Sequence, residues 1–362
     1  MTGTTRIPAE RVSRSSVVAD CPGVVALEGT LGWANRYSLQ IVSAQKGFAV
    51  DDTAVLVTDD GRTWNRRYND SAPMFSVDAV DADHAWAVGQ QVVVATSDGG
   101  RSWHAVGEPD HGMLRVVDFT DAQSGWGVTA GHVYRTTDGG VTWRNVDTPC
   151  GGEAVCFTGA DDGWAAAGPD VFRTVDGGDT WQAAFTVPAD GIDHPFNPEA
   201  IHVSQLQCTR PGVAWVYFTG QASGSHVGYA AYRGSAAGQW TPVMKEAQAG
   251  PATVQASAGG SSPGPMSALG TDSAMFVTFS PLATPPGDLR LLQATDGGRR
   301  LGPARRIAGL FSAMSVDFLS PDVGWVIGAK AGSSPIDAIL ATSDGGQTWQ
   351  EQYSYTVPPP GG

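Results

Sequence analysis

The chain has 362 residues, 41% of them hydrophobic, and a net charge of −14. That length exceeds one ordinary small domain and suits either two domains or one repeat architecture. No apolar run approaches the roughly 18 residues of a membrane-crossing helix. The acidic balance excludes nonspecific nucleic-acid binding, which needs a basic surface to displace counterions.

Residues 1–35 read as a partly irregular N-terminal segment. They are polar, contain arginines and lack the apolar stretch of a leader peptide. A mature exported chain has this look, so an extracytoplasmic or secreted protein is expected. Only Lys46, Lys245 and Lys330 are lysines. That arginine preference, with much Ala, Gly and Pro, points to a bacterial source. The four cysteines, Cys21, Cys150, Cys156 and Cys208, show no CxxC spacing, so zinc is not expected. A disulfide is expected among Cys150, Cys156 and Cys208, with buried thiols as the alternative.

From residue 36 onward the chain repeats. The first unit has "KGFAV" around Phe48 and ends in "VTDDGRTW" at Trp64. The next three carry "HAWAVG", "SGWGVT" and "DGWAAA", then "TSDGGRSW", "TTDGGVTW" and "TVDGGDTW", ending at Trp103, Trp143 and Trp181. The fifth has "VAWVYF" and a worn "YRGSAAGQW" ending at Trp240. The sixth keeps "ATDGGRRL", and the seventh has "VGWVIG" and "TSDGGQTW" ending at Trp349. Eleven of the 12 tryptophans thus fall at two repeat positions, which favours packing between units over eleven separate functions. Within the third unit, "LRVVDFT", "GWGVTA", "HVYRTTD" and "VTWRNV" read as four short strands bounded by Gly, Asp or Ser. Four strands about every 40 residues make a propeller blade. The predicted fold is all-β, a seven-bladed β-propeller over residues 36–356 with a tail at 357–362. The Asp of each motif reads as a turn brace between strands three and four, and its glycines supply positive φ.

The S/T-x-D-x-G-x-T-W pattern resembles the Asp-box, or BNR, repeat of sialidases, sortilin-type receptors and xyloglucan-hydrolysing glycosidases. The longer register "SGWGVTAGHVYRTTDGGVTW" at 124–143 is most similar to the photosystem II stability/assembly factor-like family. The resemblance spans residues 36–356. It implies a seven-bladed propeller and, in that group, a binding scaffold without known catalysis. Fold alone does not decide function here, because Asp-box propellers include enzymes.

Three enzyme-like signals stand in the sequence. "TRIP" places Arg6 in the sialidase Arg-Ile-Pro pattern, but in a polar tail far before the first box. Tyr229 and Tyr232 have no glutamate nearby in sequence, as a sialidase nucleophile would need. Asp78, Asp81, Asp118 and Asp317 are acids on expected channel strands, and a glycosidase would use two such carboxylates. Asp118 and Asp317 occupy equivalent "VDF" positions, so the repeat itself accounts for them. No HxH or HExxH pattern signals a metal, and no cofactor is expected.

Strand order in a blade puts the Asp-box turns on one face. Expected insertions at 183–199, 219–228, 245–264, 281–288 and 329–337 all fall on the opposite face, over blades four to seven. Long loops beyond a fold's needs often carry function. The segment "DHPFNPEAIH" collects Asp193, His194, Phe196, Asn197, Glu199 and His202, and His226 lies in the blade-five insertion. Carboxylates, imidazoles, an amide and a flat ring suit a peptide or polyhydroxylated ligand. These seven are the candidate ligand-binding residues. The expected function is a non-catalytic binding or assembly scaffold for a protein or glycan, acting as a monomer. The alternative is a carbohydrate-active hydrolase or lyase at the channel mouth.

Overall fold

A computed structural model describes residues 37–110, 112–188, 192, 201–223, 226–245, 262–280, 288–330 and 336–356. Among them there is no helix. Seven antiparallel sheets follow one another along the chain, at 37–69, 74–105, 116–145, 154–186, 202–245, 262–306 and 312–356. Each is a blade with its strands in sequence order. Blade six splits its outermost strand into Arg300–Leu301 and Arg305–Arg306. First strands of successive blades lie side by side, and that of blade seven lies beside that of blade one. The ring is therefore closed, and these first strands line its central channel.

The two tryptophan positions meet at the seams between blades. Trp86 of blade two stacks on Phe119 of blade three at 3.7 Å, and Trp143 of blade three's box meets the same ring edge-on at 6.1 Å. The next seam repeats this with Trp126 on Phe157 at 3.5 Å and Trp181 edge-on at 6.1 Å. The indole N–H groups of Trp86 and Trp126 donate to the box carbonyls of Gly139 and Gly177, at 2.9 and 3.0 Å. At these two seams the motifs recur together because the box builds the acceptor for the preceding blade's tryptophan. The "GW" glycine has a steric reason as well. A Cβ on Gly125 would stand 2.4 Å from the Phe119 ring.

The boxes are local braces. At Asp98, Asp138, Asp176 and Asp344 the carboxylate accepts the N–H of the residue four positions on at 2.8–2.9 Å. It also accepts that residue's hydroxyl at 2.6 Å. The Thr two residues before it donates to the same carboxylate and accepts the second glycine's N–H. The Thr348 hydroxyl and N–H hold the Asp344 carboxyl down at about 2.

Every blade is one continuous stretch, so no strand is shared to close the ring. Side chains make the blade seven–one seam instead. Gln352 accepts from the indoles of Trp64 and Trp325 at 3.1 and 3.0 Å and donates to the Gly61 carbonyl at 2.9 Å. The buried Asp51 carboxylate accepts from Tyr353 at 2.7 Å and from Arg66 at 2.5 Å. The Arg66 guanidinium lies 3.8 Å from the centre of the Tyr355 ring.

The expected disulfide is present. Cys156 and Cys208 are bonded, with Cα atoms 5.7 Å apart, and Cys150 is also disulfide-bonded.

Candidate functional site: the channel and its far mouth

First strands enter from the face opposite the boxes, because the links between blades lie there. Their far ends present Phe75, Arg115, Glu153, Ser204 and Met314 around a cavity of about 250 Å³ on the ring axis. Deeper in the channel, toward the boxes, the same cavity is lined by Asp78, Asp118, Gln207 and Asp317.

These deeper groups share one register position, opposite the second-strand landmark of each blade. Asp78 faces Trp86, Asp118 faces Trp126, Gln207 faces Trp215 and Asp317 faces Trp325. Each accepts a backbone N–H from the next blade. Phe119 donates to Asp78 at 2.5 Å, Phe157 to Asp118 at 2.6 Å and Ile41 to Asp317 at 2.6 Å. Ala268 donates to Gln207 at 2.7 Å, and Phe318 donates to the Ser267 hydroxyl at 3.0 Å. Ser267 occupies the same register position in blade six.

The half-buried carboxyls are hard to ionise there. Burial pushes Asp78 and Asp317 up to about 6. Asp118 is raised well above the usual carboxylate range, first by burial and then by the charge of Asp78. Asp81 behaves differently from the expectation that it lies on a channel strand. It sits in the turn after the first strand of blade two and accepts the N–H groups of Asp83 and His84 at 2.8 and 2.7 Å.

At the mouth, Glu153 is also committed to a seam. It accepts the Val203 N–H at 2.8 Å and lies 3.3 Å from His202 Nδ1. Arg115 differs: among the described residues its guanidinium has no carboxylate, carbonyl or ring partner. Gln40, Ser76 and Ser315 are further polar groups lining the cavity.

Of the candidate ligand-binding residues, His202 opens the channel strand of blade five and is held by Glu153. His226 pairs with Ser223 near the tip of the blade-five hairpin, on the face opposite the boxes. Asp193, His194, Phe196, Asn197 and Glu199 lie outside the described residues. The insertions are partly strand rather than loop. In blade five the second and third strands run Val213–Ser223 and His226–Ser235, against Ala85–Gly89 and Val92–Thr96 in blade two. Their extra length rises on the face opposite the boxes. Arg115 and Glu153 were not among the sequence candidates. Their signal is their shared offset, three residues before Asp118 and Cys156.

The fold is shared with YCF48. A structure of YCF48 bound to a D1 peptide is 20% identical, with a TM-score of 0.51, over 78% of this chain and 81% of that one. YCF48 from Cyanidioschyzon merolae is 17% identical, with a TM-score of 0.50, over 77% of this chain and 85% of that one. The resemblance read from the repeat register is thus matched in three dimensions. An ancestral GH74 enzyme is 12% identical, with a TM-score of 0.55, over 87% of this chain but 46% of its own length. No family model and no curated protein matches the chain.

Proposed function

We propose that the protein is a non-catalytic binding scaffold that holds a protein segment across the face opposite its Asp boxes. The observation that carries this reading is the division of labour in the channel. The carboxyl groups are committed to seams between blades, whereas Arg115 at the mouth has no carboxylate, carbonyl or ring partner among the described residues. A guanidinium beside Phe75, Met314 and several hydroxyls is a receptor for an extended chain bearing acidic and apolar side chains. The peptide complex of YCF48 supports a protein partner. The raised hairpin of blade five and His202 extend this surface, and the ligand-binding residues proposed with them are Asp193, His194, Phe196, Asn197, Glu199 and His226. A glycan ligand uses the same surface in a variant of this reading. An extracytoplasmic location, in an exported bacterial protein acting as a monomer, is part of the proposal, and the Cys156–Cys208 bond supports it.

A displayed peptide library panned against the protein should return an enriched motif. Its binding should weaken at least tenfold in Arg115→Ala and on replacing 193–199 by a Gly/Ser linker, and should persist in Asp138→Ala. Absence of any enriched motif, or loss of binding only in Asp138→Ala, would overturn the reading.

The second reading, a carbohydrate-active hydrolase or lyase, is favoured by one observation. Asp78 and Asp118 are neighbouring acids with raised pKa in a cavity. It requires hydrolysis of a chromogenic glycoside that disappears in Asp118→Asn while the fold persists.

A further inference from the structure

The seam between blades four and five departs from the two seams before it in three places. The register position held by Asp78, Asp118 and Asp317 elsewhere is occupied by Cys156 in blade four, opposite Trp164. The next position of the following blade, held by Phe119, Phe157 and Phe318 at other seams, is occupied by Cys208 in blade five. Trp164 accordingly has no phenylalanine plate to stack on and meets Trp240 edge-on at 5.7 Å. Its indole N–H, unlike those of Trp86 and Trp126, is buried without an acceptor. The blade-five box is the worn copy, and no box carbonyl is presented there. At these positions the carboxylate–amide bond, the ring stacked on the second-strand tryptophan and that tryptophan's indole–carbonyl bond are thus all missing. In their place stands one covalent bond between the same two register positions. What else spans the seam is Val203 N–H to Glu153 at 2.8 Å, Gly212 N–H to Asp162 at 2.9 Å, the Trp240 indole to the Ala184 carbonyl at 3.1 Å, the Phe185 ring stacked on Trp240 at 4.5 Å, and the apolar side chains around Leu206, Val216 and Phe218.

We infer that the Cys156–Cys208 disulfide is a redox-operated latch, and that its reduction opens the propeller ring between blades four and five while the other seams stay closed. The reductant is a dithiol. Its thiolate attacks the sulfur of Cys208, which is half-buried where Cys156 is almost fully enclosed. The S–S bond breaks and a mixed disulfide forms. The second thiol of the reductant then displaces Cys208. Two electrons and two protons end on the two cysteines, and the reductant leaves as its own disulfide. Two thiols are poor substitutes for a carboxylate and an amide, so the first strands of blades four and five lose their central tie. Local opening of this kind belongs to one cooperative unit rather than to the whole fold.

Hydrogen exchange read by mass spectrometry tests the latch. The Cys156→Ser/Cys208→Ser variant, without reductant, isolates this bond from that of Cys150. Its peptides covering 154–157 and 202–208 should exchange at least tenfold faster than in the oxidised wild type. Peptides covering 116–119 and 312–318 should be unchanged. Wild type in dithiothreitol should show the same pattern. The variant Cys156→Asp/Cys208→Phe/Ala214→Gly rebuilds the arrangement of the seam between blades three and four, with glycine opposite the phenylalanine, so it should protect 154–157 as the oxidised protein does and be indifferent to dithiothreitol. A uniform rise across all blades, or no rise at 154–157 and 202–208 in the serine variant, would overturn the inference. So would a Cys156→Asp/Cys208→Phe/Ala214→Gly protein that opens as the serine variant does.

Discussion

Asp317 offers a direct test of what the channel acids do. Its Oδ2 accepts the Ile41 N–H that closes the ring, and its Oδ1 lies 3.3 Å from the Ser267 hydroxyl. Burial raises it from an ordinary 3.8 to about 6. A carboxyl whose folded pKa is raised binds its proton more tightly in the folded state. Its contribution is therefore fully favourable below about 4 and is lost as pH rises to about 6. Asparagine has the shape and the donor of the protonated acid, so Asp317→Asn removes the ionisation penalty and keeps the acceptor for Ile41. About two units at about 1.4 kcal/mol each set an upper limit near 3 kcal/mol. Screening through the channel trims this to about 1–2 kcal/mol. Urea unfolding should find Asp317→Asn more stable than wild type by that amount at pH 8, and level with it at pH 4. A variant that loses stability at pH 8, and more there than at pH 4, would show that the ionised carboxylate is the better partner for Ile41, and the reasoning would fail.

Two further changes probe the seams and the boxes. Gly125→Ala drives a methyl into the Phe119 ring and should lower stability by about 1–3 kcal/mol in chemical denaturation; an unchanged midpoint would mean that the Trp126 strand shifts freely. Asp138→Ala strips the brace from the Thr142 N–H and hydroxyl and should cost about 1–2 kcal/mol, with peptide affinity intact. A stable variant that had lost binding would instead make the box part of the site.

The blade count and the box chemistry were legible in the sequence because both are local. Asp138 reaches Thr136 and Thr142, within four residues of itself, and eleven of the 12 tryptophans mark the period that the strands obey. The equivalence of Asp118 and Asp317 was visible too, but not what those acids accept. Their donors, Phe157 and Ile41, are 39 and 276 residues away, and only the closed ring brings them into reach. The same holds for Glu153 and His202, 49 residues apart, which the sequence placed in different blades with no sign that they meet. Segment 219–228 read as a loop for its Gly and Ser content, yet much of it is paired strand, because a hairpin's length is decided by the partner it finds. Local turn chemistry and periodicity determined how many blades there are and where they turn. Tertiary closure decided which side chains join them, because a seam bond depends on two register positions that only neighbouring blades can bring together.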